Sequence, residues 1–174
     1  WNASSTDRGF GTKDFMFYSN ETDVNSTFFL NVTVRDVEKM KGWAVGIIYS
    51  NETLAYVSAW RPSDNVFKPV EDMDWTIIAP PATFEDVNAT HRLLMWGCTY
   101  IMGEEPWSFN GTGQLCQIQF KIVKAVSETY RKASASFAFD SNWTALYPHP
   151  VGTIIPQMQP AYFEYACLLY TSPS

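Results

Sequence analysis

Residues 27–34, TFFLNVTV, alternate without a break: Phe28, Leu30, Val32 and Val34 fall on one face, and Thr27, Phe29, Asn31 and Thr33 on the other. Period-two alternation over eight residues predicts a half-buried strand, because successive side chains of a strand point to opposite sides of its sheet. Outward from it, the β-rich run Trp43–Tyr49 after Gly42, read as a turn residue, predicts a second strand, and Leu54–Trp60 after the polar turn SNET a third. His91–Cys98, Gln114–Ile122, Ser136–Phe139 and Tyr162–Tyr165 read as further strands. Helical periodicity is nearly absent, with one expected helical turn at VSETYRKA, residues 126–133. Short strands punctuated by Gly, Pro and Asn predict an all-β fold, a single sandwich or jelly roll. The 174 residues suffice for one core.

Around that strand, the stretch SNETDVNSTFFLNVTV (19–34) holds three asparagines two places before a Thr. Eight of the nine asparagines (Asn2, Asn20, Asn25, Asn31, Asn51, Asn88, Asn110 and Asn142) open an Asn-x-Ser/Thr triplet, and Asn65 alone does not. With Ser and Thr at 29 of 174 positions, chance would supply about one or two. All eight are expected to carry N-linked sugar, which makes the chain a secreted, cell-surface glycoprotein. Asn31 falls on the outer face of its strand, where a glycan leaves the core intact.

A net charge of −6 with scattered lysines and arginines argues against nucleic acid as a partner. The chain has no run of 18 apolar residues and is expected to be a mature ectodomain, its leader already removed. Charged residues make up only 17%, so sugar is expected to supply part of the solubility.

Cys98 and Cys116 flank the turn-rich IMGEEPWSFNGTG and share inward parity on their strands. A disulfide between them would close a short loop, worth about 3 kcal/mol in the chain-entropy account; two buried free thiols are the alternative. The last eight residues, CLLYTSPS (167–174), resemble the translated end of a sequencing adapter, so the expected source is a metagenomic read whose native chain continues differently past Ala166.

Two blocks, FFLNVTVRDVEKMKGWAVGIIYSNETLAYVSA (28–59) and WSFNGTGQLCQIQFKIVKA (107–125), resemble the cohesin pattern. In the second, Phe109, Gly111, Gly113, Leu115, Ile118 and Phe120 match the motif F-x-G-x-G-x-L-x-x-I-x-F, and Ile122 replaces a valine. The tail segment PAYFEY resembles the closing strand. The resemblance implies a cohesin-like jelly roll of about nine strands, the form found in cellulosome scaffoldins and in archaeal surface proteins. The cysteine pair and the density of sequons depart from that pattern.

No catalytic motif is present, and an enzyme is not expected. The only histidines, His91 and His149, carry no expected role. Glu104 and Glu105 stand side by side, and EDMD (71–74) could offer oxygens to Ca²⁺, without support from a recognised loop; no other cofactor is expected. Trp43, Trp96 and most phenylalanines sit at core parity, whereas Trp1, Trp60, Trp75 and Trp107 are free for contacts.

The expected organisation is a flexible arm over 1–14, a sandwich over 15–166 and a tail over 167–174. The leading expectation is a structural subunit of a glycosylated extracellular filament or surface layer, joined to identical copies by strand donation. The arm residues Phe10, Phe15, Met16, Phe17 and Tyr18 are the expected donors. The alternative is a cohesin-type receptor module that binds a dockerin or similar protein through one sheet face, which must then be free of sugar.

Overall fold

The computed structural model describes residues 14–101, 107–127, 131–148, 152–154 and 156–167. Among them the elements run β1 (Asp14–Tyr18), β2 (Thr27–Ser50), β3 (Leu54–Trp60), α1 (Lys68–Asp72), β4 (Ile77–Ile78), β5 (Thr83–Asn88), β6 (His91–Tyr100), β7 (Phe109–Ile122), β8 (Lys132–Phe139), β9 (Ala145–Pro148) and β10 (Ala161–Ala166). All strands belong to one continuous sheet that curls on itself.

The curl is built by β2. Its first half pairs antiparallel with β7, which pairs in turn with β3. Its second half pairs with β6 on one side and with β9 and β8 on the other. One strand therefore contributes to both layers of the sandwich. The two strands expected at 27–34 and 43–49 are one element, and Gly42 is a strand residue opposite Thr99, not a turn. The bend lies earlier, at register shifts after Val34 and Val37. Asp36 and Lys39 adopt positive φ there, +51° and +54°. Two side chains of β7 hold their backbone amides: Asp36 N–H donates to Thr112 Oγ1 at 3.1 Å and Lys39 N–H to Asn110 Oδ1 at 2.9 Å. Such bulges strengthen twist and re-aim a strand without ending it.

Alternation then fills the core. Phe28, Leu30 and Val32 pair with Phe120, Ile118 and Cys116, and these six are buried together with Val34, Leu115, Trp43, Val45, Ile47 and Tyr49. A phenylalanine cluster closes one end, with Phe28 stacked on Phe163 at 5.3 Å and meeting Phe15 and Phe17 at 5.4 and 5.2 Å. The motif glycine Gly113 has a packing reason, since a Cβ there would lie 2.7 Å from Val66 Cγ1.

Two further expectations need correction. Phe15 and Phe17, placed among the donor residues, are 4% exposed in their own core, because β1 pairs in parallel with β10 of the same chain, Asp14↔Tyr162 to Tyr18↔Ala166; Met16 and Tyr18 lie on the same strand, with Met16 outward. The helical turn expected at 126–133 is absent among its described residues: Val126 and Ser127 are irregular, and Lys132 and Ala133 begin β8. The short helix is α1 instead, opened by Pro69 near its N-terminus. Asn2, Phe10, Trp1, Glu104, Glu105, His149 and the tail 168–174 lie outside the described residues.

Candidate functional site

The outer face of the β6–β2–β9 layer is made of small and apolar side chains because β2 alternates bulky inward residues with Gly42, Ala44, Gly46 and Ile48 outward. The pairing sets them in four cross-strand rows: Tyr147–Gly42–Thr99–Ile78, Ala145–Ala44–Gly97, Gly46–Met95–Thr83, and Ala138–Ile48–Leu93–Glu85. Glu85 is the one charged residue in these rows. The floor is low, and taller side chains rim it: Trp143 is 50% exposed, Tyr147 43% and Ile78 43%. Trp143 closes over Gly46, where an added Cβ would come 2.6 Å from its own Cβ. Leu93 is buried here although it lies outside the main core cluster. Neither this face nor Trp143 was found by sequence reasoning. The signal was present in KGWAVGI, where small residues recur at every second place between bulky ones.

None of the seven described sequon asparagines lies in those rows. Asn20 and Asn25 are in the β1–β2 loop, Asn51 in the β2–β3 turn, Asn88 at the end of β5, Asn110 in β7 near the bend of β2, and Asn142 in the turn before β9. Asn31 sits in mid-strand, on the outer face of the opposite layer. Asn25, Asn51 and Asn88 share one end of the sandwich: Asn25 N–H donates to Ile122 O, and Asn51 N–H to Thr90 O beside Asn88.

A second feature lies along β2. Between Leu30 and Val37 its edge away from β7 has no partner strand among the described residues. A groove of about 660 Å³ runs beside this edge, floored by core side chains such as Leu30, Val32, Phe137 and Leu146, and walled across by Pro156 and Met158.

The remaining candidates are dispersed. In EDMD, Glu71 Oε1 lies 2.6 Å from Arg61 Nη1 and Asp72 is paired with Lys68, so these carboxylates serve as ion-pair partners. Among the described residues no three His, Cys, Asp or Glu side chains group to hold a metal. His91 Nδ1 meets Thr90 Oγ1 at 2.9 Å. Trp60 packs edge-on against Phe29, and Trp75 and Trp107 pack on Tyr100. The disulfide is not formed in this structure: Cys98 and Cys116 are buried free thiols. Parity places both inward as expected, but they hang from opposite layers, across from Trp43 and Val32 of β2. Inward parity alone does not set a sulfur–sulfur distance. Burial pushes the Cys98 thiol up to about 11 and raises that of Cys116 further, with Cys98 as the second cause. Cys167 is partly exposed, and its N–H donates to Arg131 O.

No protein-family model matches the sequence, and no curated protein matches it. Solved structures do. The chain is similar to the cohesin of a type I cohesin–dockerin complex from Clostridium thermocellum, at TM-score 0.58 and 8% identity over 89% of this chain and 90% of that one. It is similar to a type II cohesin domain from the cellulosome of Acetivibrio cellulolyticus, at TM-score 0.54 and 15% identity over 88% and 90% of the two chains. A non-cellulosomal cohesin from the hyperthermophilic archaeon Archaeoglobus fulgidus gives TM-score 0.51 and 10% identity over 92% and 89%. The fold is thus a cohesin-like jelly-roll sandwich.

Proposed function

We propose that this chain is an extracellular, N-glycosylated binding module that receives a protein partner of the dockerin kind on the outer face of the β6–β2–β9 layer. The observation that carries this reading is the make-up of that face: four rows of small and apolar residues with one charge, in which no described sequon asparagine stands. A low floor with an aromatic rim suits close approach of another backbone, and desolvating it costs little because so few polar groups are involved. The fold likeness to cohesins, some of them solved with dockerins, supports the partner class. Among the described residues no helix is long and apolar enough to cross a membrane.

Calorimetric titration with type I and type II dockerin modules tests the proposal. One of them is expected to bind, and Ala44→Arg, which raises a charged side chain from the floor, should weaken it about tenfold or more. Lys121→Ala, on the opposite layer, should leave it unchanged. Absence of heat with every module, or equal binding by the Ala44→Arg variant, contradicts the reading.

A second reading, a subunit of a glycosylated filament or surface layer, is favoured by one observation, the unpartnered edge of β2 beside its apolar groove. An extended segment of a neighbouring copy would add there as a strand. Because Phe15 to Tyr18 are held by their own β10, the donor in that reading is a different segment, with Phe10 and its neighbours the first candidates.

A further inference from the structure

The outer face of the β3–β7–β2 layer differs from the face described above. Its rows read Thr27–Lys121–Ala55, Phe29–Gln119–Ser58 and Asn31–Gln117–Trp60. Amides and hydroxyls tie the rows together: Gln119 Nε2 donates to Thr27 Oγ1 at 3.0 Å and Ser58 Oγ to Gln119 Oε1 at 3.2 Å. Within this polar lattice stands one aromatic pair, Phe29 and Trp60, half-buried, with ring centroids 5.3 Å apart at 86°. The sequon asparagine stands next to it. Phe29, Asn31 and Thr33 follow one another on the same face of β2, at a spacing of roughly 7 Å for alternate residues of a strand.

The asparagine is held in one orientation. Gln117 Nε2 donates to Asn31 Oδ1 at 2.8 Å, while Asn31 Nδ2, the atom that takes a sugar, donates to no group among the described residues. We infer that Asn31 carries an N-linked glycan whose first sugar lies across Phe29 against Trp60, so that the sugar is part of the packing of this face. This rests on the reading of the chain as a glycoprotein. The chemistry is complementary. A pyranose presents one face of C–H bonds, apolar and slightly positive, to the negative face of an aromatic ring. Its polar edges then meet the surrounding glutamine amides and threonine hydroxyls.

The structure separates this site from two others with the same spelling. Tyr49 precedes Asn51 by the same two residues, but its ring is 2% exposed in the core and no sugar can reach it. Tyr18 precedes Asn20 likewise, but β1 ends at Tyr18 and Asn20 lies in the turn that follows, not on the same strand face. At Asn88 and Asn142 the residue two places before is Asp86 or Asp140, which offers no ring.

The test uses the full chain made in a host that glycosylates it, then trimmed to a single N-acetylglucosamine at each occupied site, with wild type, Asn31→Gln, Phe29→Val and the double variant compared. Peptide mapping is expected to find Asn31 occupied. Asn31→Gln is expected to lower the melting midpoint by about 2–4 °C more in the wild-type background than in the Phe29→Val background. In the same four proteins made without sugar, Asn31→Gln disturbs only the hydrogen bond from Gln117 and should cost the same in both backgrounds. Proton resonances of the Asn31 sugar should move upfield from ring current in wild type and return in Phe29→Val. If Asn31 is empty while Asn20 and Asn25 are occupied, this inference fails and the wider glycoprotein reading stands. If Asn31 is occupied but its loss costs the same in both backgrounds, the stacking is wrong.

Discussion

Asn65, the one asparagine outside a sequon, is 3% exposed, donates from Nδ2 to Pro62 O at 2.8 Å and accepts from Phe67 N–H at 2.9 Å. It shapes the turn that seats Phe67 under Tyr100, so the asparagine the sequence set apart is set apart by structure too. Other residue-level features were half legible. Parity gave the inward direction of Cys98 and Cys116, but only the two-layer geometry could say whether the sulfurs meet. Their burial has a measurable consequence. With the Cys98 thiol raised to about 11, only about one molecule in a thousand holds the thiolate at pH 8. In protein folded with free thiols, a chromogenic disulfide reagent at pH 8 is expected to modify Cys167 promptly and the other two only at the rate of unfolding. Oxidant present during folding is then the condition under which the pair would close, and oxidant added afterwards should leave it open. Prompt reaction of all three cysteines in the native protein would show that burial does not protect them.

At the scale of elements, β3 was legible residue for residue, because a polar turn on its N-terminal side and clean propensity mark its bounds. β2 was not, since glycine in a run of β-formers reads as a turn, whereas here Gly42 is level with Thr99 and the bend is made by Asp36 and Lys39. Asp36 is a single weak turn signal inside a charged run and Lys39 is none, and the hydrogen bonds that hold them come from residues more than seventy positions away. Long-range pairing of this kind has no local trace. The strained positions make a prediction about the bend. Lys39 at φ +54° sits where glycine is at ease, so Lys39→Gly is expected to leave thermal stability equal or raise it by up to about 1 kcal/mol. Lys121→Gly, in regular pairing with Thr27 and Ala55, should lower it by about 1 kcal/mol. Equal losses at both sites, read from denaturant midpoints, would mean that the positive φ carries no strain. A sugar on Asn110 is compatible with the bend, since Lys39 uses the side-chain oxygen and not Nδ2.

For the whole molecule, the all-β sandwich and its likeness to cohesins could be read from alternation and from the spacing FNGTGQLCQIQF, whose Gly113 and inward residues the structure explains by packing and whose Gly111 it explains by a φ of +115°. What escaped was the distribution of surface: which face carries no described sequon, and where the sheet is left open. Neither follows from one strand, because each is set by which strands lie side by side. No described sequon asparagine lies in the rows of the β6–β2–β9 face, while the open edge of β2 lies on a different side of the curl. The two readings of function therefore predict contacts at separate places on one chain. Hydrogen–deuterium exchange of the glycosylated protein with and without a saturating dockerin module separates them most directly. The account predicts new protection over 42–48 and 93–99 on binding; no protection there, or protection confined to 30–37, would contradict it.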